Sequence, residues 1–172
     1  MKKRDFILWF EDLGKEDIPL VGGKCANLGE LLGKIGVPVP NGFAVSAYAY
    51  KAFLEETRAS KIVDDLLSGI DMSDIASLQN ASQKIRKHLE KQAIPKNIEK
   101  SIIKAFQILS KESGKKDIAV AVRSSATAED LPGASFAGQQ DTFLNVTQRD
   151  LLKSIKKCWF QQSRCYLSYR TI

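Results

Sequence analysis

The chain lacks any apolar run approaching the ~20 residues that cross a bilayer, which excludes a helical membrane span. It has one histidine, His88, and three cysteines, Cys25, Cys158 and Cys165, among 172 residues. The cysteines are odd in number and have no metal-ligand spacing, so no metal ligands are expected here. Cys158 and Cys165 fall in one expected helix, where two turns put their Cα atoms about 10 Å apart, beyond disulfide reach. Three reduced thiols are the expectation. The start, Met1-Lys2-Lys3-Arg4-Asp5, is basic, but only Phe6 to Phe10 follows before Glu11 and Asp12. That stretch is too short for the apolar part of a secretory leader, so a cytoplasmic location is expected. Internal repeats and low-complexity tracts are also missing.

What is present is a balance of 44% hydrophobic and 27% charged residues, that of a packed globular domain. The net charge of +6 is local. Between Gln83 and Asp117 lie ten basic and four acidic residues, and the remainder carries 16 of each sign. Lys84, Arg86, Lys87, Lys91, Lys96, Lys100 and Lys104 alternate there with apolar residues. Such a run is usually a solvated helix face. A nucleic-acid surface would be marked by interleaved aromatics, and this stretch has only Phe106. A basic RNA-binding module therefore stands as the alternative, with no nucleic acid expected as partner.

Apolar patterning predicts a mixed α/β fold. Ile7-Leu8-Trp9-Phe10 reads as a strand. Val21-Gly22-Gly23-Lys24 reads as a glycine turn feeding a helix with Ala26, Leu28, Leu31, Leu32 and Ile35 on its apolar face. Phe43-Ala44-Val45 is a second strand, and Ser46 a helix N-cap before Tyr50, Phe53 and Leu54. Ile62, Val63, Leu66 and Leu67 share a helical face, as do Ile85 and Leu89. Pro95 opens a helix carrying Ile98, Ile102, Phe106 and Leu109 and ending at Gly114. The continuous run Ile118 to Val122 reads as a buried strand in mid-sheet. Thr142 to Val146 is a further strand. Thr147 and Asp150 open the last helix, whose broad face holds Leu151, Leu152, Ile155, Cys158, Trp159, Gln162, Tyr166 and Tyr169. That face is expected to stay partly uncovered and to favour self-association.

Two places combine small residues with a cation. Gly22-Gly23-Lys24 lets the backbone turn sharply at a helix start, where free N–H groups attract anions. On the tripeptide alone an ordinary helix start is the better reading, since the P-loop spacing is absent. Val122-Arg123-Ser124-Ser125 ends a strand, a usual place for ligand contacts in α/β sheets, and a guanidinium fork suits phosphate oxygens. On local grounds Arg123 pairs equally well with Glu129 or Asp130. The polar, small-residue segment up to Gln140 is long for a connection and could lie flat over phosphates. His88, among lysines, reads as exposed and idle.

The motifs Val21-Gly-Gly-Lys-Cys-Ala-Asn-Leu-Gly-Glu-Leu31, Val37-Pro-Val-Pro-Asn-Gly-Phe-Ala-Val-Ser46, Val122-Arg-Ser-Ser-Ala-Thr-Ala-Glu-Asp-Leu-Pro132 and Ala134-Ser-Phe-Ala-Gly-Gln-Gln-Asp-Thr-Phe-Leu-Asn-Val146 occur in that order along the chain. Together they resemble the amino-terminal ATP-binding region of the phosphoenolpyruvate synthase family, a group that includes pyruvate phosphate dikinase and rifamycin phosphotransferase. The resemblance implies the first lobe of an ATP-grasp domain over residues 1–172, with a mixed sheet and flanking helices. It implies that Lys24 and Arg123 contact ATP phosphates, that Gly138 and Thr142 are phosphate-loop contacts, and that Gln139 lies beside them. It further implies Mg2+ held by carboxylates of a second lobe, a phosphohistidine domain and a pyruvate barrel, none of which this chain carries. No catalytic residue is therefore expected within it, and the isolated chain is expected to be inert. The phosphoryl acceptor, pyruvate or an antibiotic hydroxyl, is left open by these residues.

Overall fold

The computed structural model describes residues 4–35, 40–68, 70, 74–125 and 142–169. Strand β1 (Ile7–Trp9) pairs antiparallel with β2 (Phe43–Val45), Leu8 facing Ala44. Between them the chain makes two short 3-10 turns and helix α1 (Ile18–Glu30), which runs on into a π-helical turn, Leu31–Ile35. Pro19 stands at the start of α1, where its missing N–H costs nothing. The expected glycine turn is the kink at Gly22, where a short first turn from Ile18 meets the helix that carries Lys24. Gly22 takes φ 77°, ψ 163°, a backbone region open essentially to glycine.

Four helices follow: α2 (Ala47–Glu56), α3 (Ala59–Leu67), α4 (Ile75–Lys91) and α5 (Lys96–Glu112). Ser46 caps α2 as expected, its Oγ accepting from the Ala49 N–H at 3.2 Å. Gly114, at φ 71°, ends α5 by accepting the left-handed conformation that stops a helix. Lys84, Lys87 and Lys91 on α4, and Lys96, Lys100 and Lys104 on α5, are all exposed, opposite the buried Ile85, Leu89, Ile98, Ile102 and Phe106. Apart from the half-buried Arg86, the basic stretch is the solvated side of two amphipathic helices. His88 is half-buried rather than exposed, and its Nε2 lies 3.0 Å from Gln92 Nε2, one turn on.

Strand β3 (Val120–Arg123) pairs antiparallel with β4 (Thr142–Val146). The expectation of a buried mid-sheet strand is corrected here. Residues 118 and 119 precede the strand, β3 alternates half-buried with exposed, and among the described residues β4 is its only neighbour. The single mixed sheet is likewise replaced, among the described residues, by two antiparallel two-stranded ribbons. An unbroken apolar run reads as buried on both faces, but Ala121 is small enough to face water at little cost. A bulge in β4 sets two residues, Leu144 and Asn145, against Ala121, and Asn145 takes φ 55°, which Asn tolerates better than most residues.

Helix α6 (Gln148–Tyr169) closes the fold. Its first N–H, from Gln148, donates to the Asp117 carboxylate at 3.3 Å. Leu151, Ile155, Trp159 and Phe160 enter the main core with Phe53, Ile85, Leu89, Ile98, Ile102 and Phe106. Trp159 is not left uncovered as expected: it is 4% exposed, its ring 5.1 Å from Phe53 and 5.8 Å from Tyr50. The side chains of Gln162, Tyr166 and Tyr169, and of Cys165, lie outside the described ones. A smaller cluster of Leu8, Leu13, Val21, Ala26 and Ala44 holds α1 against the β1–β2 ribbon.

Candidate functional site

The kink at Gly22 turns α1 so that Lys24 follows one residue after the buried Gly22–Gly23 pair. Val21 and Ala26, on either side, are buried in the smaller cluster, which sets the direction in which the half-buried Lys24 leaves the helix. Gly29, a turn further on, lies against the Leu13 and Phe10 backbone so closely that an added Cβ would sit 2.5 Å from the Leu13 carbonyl oxygen. The helix is therefore held at both ends of this segment.

The second wall is the β3–β4 ribbon. Arg123, the last residue of β3, stands directly opposite Thr142, the first of β4, and both are exposed. Directly opposed residues of an antiparallel pair project to the same face, so Arg123 and Thr142 share one face of the ribbon. Val122 and Phe143 occupy the other face and pack on the main core. Lys157 of α6 lies over the Phe143 ring at 5.3 Å.

A hydrogen bond joins the walls. The Cys25 N–H donates to Ser125 Oγ at 3.4 Å, across 100 residues of sequence. Ser125 also hydrogen-bonds the Cys25 side chain. Burial pushes the Cys25 thiol above its ordinary 9.0, and the Ser125 hydrogen bond and the Lys24 charge only partly oppose this. The thiol is therefore neutral near pH 7 and does not offset the positive charge of Lys24. Lys24, Arg123 and Thr142 are thus brought to one region, while Gly138 and Gln139, like Glu129 and Asp130, lie outside the described residues. The residue types of both walls were legible in the sequence, but the Cys25–Ser125 contact was not, and no local signal marks it.

Cations, hydroxyls and backbone N–H groups are donors, which suit phosphate oxygens and not a metal ion. Among the described residues no group of three His, Cys, Asp or Glu side chains is gathered to hold a metal. Nor is any helix among them long and apolar enough to cross a membrane.

The comparisons place the chain in a class of nucleotide-binding proteins. It belongs to the pyruvate phosphate dikinase, AMP/ATP-binding domain family, which matches residues 18–170. Among curated proteins it is 45% identical to the "probable phosphoenolpyruvate synthase" of Methanothermobacter thermautotrophicus, over 90% of this chain and 22% of that protein. The protein so described in Staphylothermus marinus is 47% identical over 92% of the chain and 19% of its own length. The phosphoenolpyruvate synthase of Pyrococcus furiosus is 41% identical over 90% of the chain and 23% of its own length. The chain thus spans about a fifth of the length of these relatives.

Proposed function

We propose that the chain is the first lobe of an ATP-grasp-type domain in a cytoplasmic phosphoenolpyruvate synthase, with Lys24 and Arg123 contacting the ATP phosphates. Thr142, Gly138 and Gln139 supply the loop contacts in this reading. The observation that supports it most is the Cys25–Ser125 contact, which sets the helix start carrying Lys24 beside the strand end carrying Arg123. The whole enzyme would pass a phosphoryl group from ATP to a histidine on another domain and on to pyruvate, with water as second acceptor. AMP, phosphate and phosphoenolpyruvate would be the products. Such transfer needs metal ions bridging the phosphates. The described donor set does not fit Mg2+, and in this reading its ligands are carboxylates of a second lobe. The chain by itself would supply the cationic half of the site and be catalytically inert.

The test uses the full-length protein that carries this chain, with pyruvate-dependent AMP formation as readout. A hydrogen bond to a charged group contributes about 1.5–3 kcal/mol, so Lys24→Met should lower kcat/KM for ATP roughly 10- to 150-fold. Arg123→Lys should fall in the same range although it keeps the charge, because a point charge cannot reproduce a planar fork. Wild-type values for both would remove these residues from the site. AMP formation that depended on an antibiotic hydroxyl and ignored pyruvate would move the acceptor.

A further inference from the structure

Among the described residues no strand pairing joins the two walls, and their cores meet through the β1–β2 ribbon, with Leu8 and Ala44 in the smaller cluster and Ile7, Phe43 and Val45 packed on the main one. Val21 and Ala26 of α1 belong to the smaller cluster, whereas Val120 and Val122 of β3 pack on the main one. Within the site, a hydrogen bond of Ser125 bridges the two walls directly. Its Oγ accepts from the Cys25 N–H at 3.4 Å and its hydroxyl also engages the Cys25 side chain, one residue from Lys24 and two from Arg123. We infer that Ser125 is a positioning residue that fixes the spacing of Lys24 and Arg123 before the nucleotide arrives. The inference rests on the phosphate-binding reading of those two cations.

The physical consequence is specific. Without the bridge the local spacing of Lys24 and Arg123 widens into a range, and only part of that range accepts the phosphates. The apparent affinity falls by the competent fraction. Once ATP spans both cations it holds the walls itself, so the bound complex reaches the same geometry as before. The loss therefore appears in KM for ATP and leaves kcat alone. Thr keeps the hydroxyl at the same branch point and should restore the bridge.

In the full-length protein, Ser125→Ala should raise KM for ATP about three- to tenfold while kcat stays within twofold and KM for pyruvate is unchanged. Ser125→Thr should return KM for ATP to within twofold of wild type. Lys24→Met and Arg123→Lys, assayed alongside, separate the two layers of the argument. If both impair ATP use while Ser125→Ala does not, the positioning inference is overturned and the site stands. If neither impairs it, the site reading fails and takes this inference with it. If Ser125→Ala lowers kcat, raises both KM values and drops the melting temperature, and Thr restores none of these, Ser125 is only a packing residue and the inference is wrong.

Discussion

Gly29 offers the sharpest test of how α1, and with it Lys24, is seated. A Cβ added there would lie 2.5 Å from the Leu13 carbonyl oxygen, 2.6 Å from the Leu13 Cβ and 2.8 Å from the Phe10 carbonyl oxygen. Two of these are backbone atoms, so no rotamer change relieves the contact and the helix must move off the turns beneath it. Overpacking of this kind costs about 1–3 kcal/mol. Working against it, alanine in a helix interior is favoured over glycine by about 1 kcal/mol. Taking the upper half of the clash cost, Gly29→Ala should destabilise by roughly 1–2 kcal/mol. For a chain of this size that lowers the melting temperature by about 2–8 °C. Gly33→Ala is the internal control, because its added Cβ would meet nothing closer than the Glu11 carbonyl oxygen at 3.7 Å, an ordinary contact. Thermal melts followed by circular dichroism should therefore show Gly33→Ala at or above wild type and Gly29→Ala clearly below it. A Gly29→Ala melt at or above wild type would mean that α1 is not packed against Leu13 and Phe10 as described.

Trp159→Ala should cost about 3–5 kcal/mol, the usual loss for a buried aromatic, and a melt unchanged from wild type would contradict its place between Tyr50 and Phe53. Cys25 should react slowly with iodoacetamide at pH 8, since burial keeps it protonated above its ordinary 9.0; labelling as fast as a free thiol would show it exposed. Its raised pKa also has a sign for stability: the contribution is complete below the unfolded value and is lost as pH climbs through the folded one. Alkaline melts above pH 9 should accordingly be less steep for Cys25→Ser than for wild type. Calorimetry of magnesium-ATP against the isolated chain should show no micromolar binding. Exposed ion contacts are worth ~0–1 kcal/mol each, against the ~8 kcal/mol of a micromolar complex. A micromolar constant would mean that this lobe holds the nucleotide without a second wall.

What was legible in the sequence is local. The strands at Ile7–Trp9, Phe43–Val45 and Thr142–Val146, the Ser46 cap and the Gly114 stop each follow from side-chain types acting on their own backbone within a few residues. The residue types at Lys24 and Arg123 follow equally from local chemistry, a glycine-opened helix and a strand end. Tertiary structure decided the rest. Trp159 lost its expected exposure because Tyr50 and Phe53, from a helix a hundred residues earlier, lie across it. Ile118 to Val122 lost its expected burial because what covers a strand face is the partner element, and periodicity cannot name the partner. The two cations share a region where Cys25 reaches Ser125, and a contact between residues 100 apart leaves no trace in either neighbourhood. Backbone preference is written residue by residue, whereas adjacency is written by the packing of surfaces that each segment presents to segments it has never met in sequence.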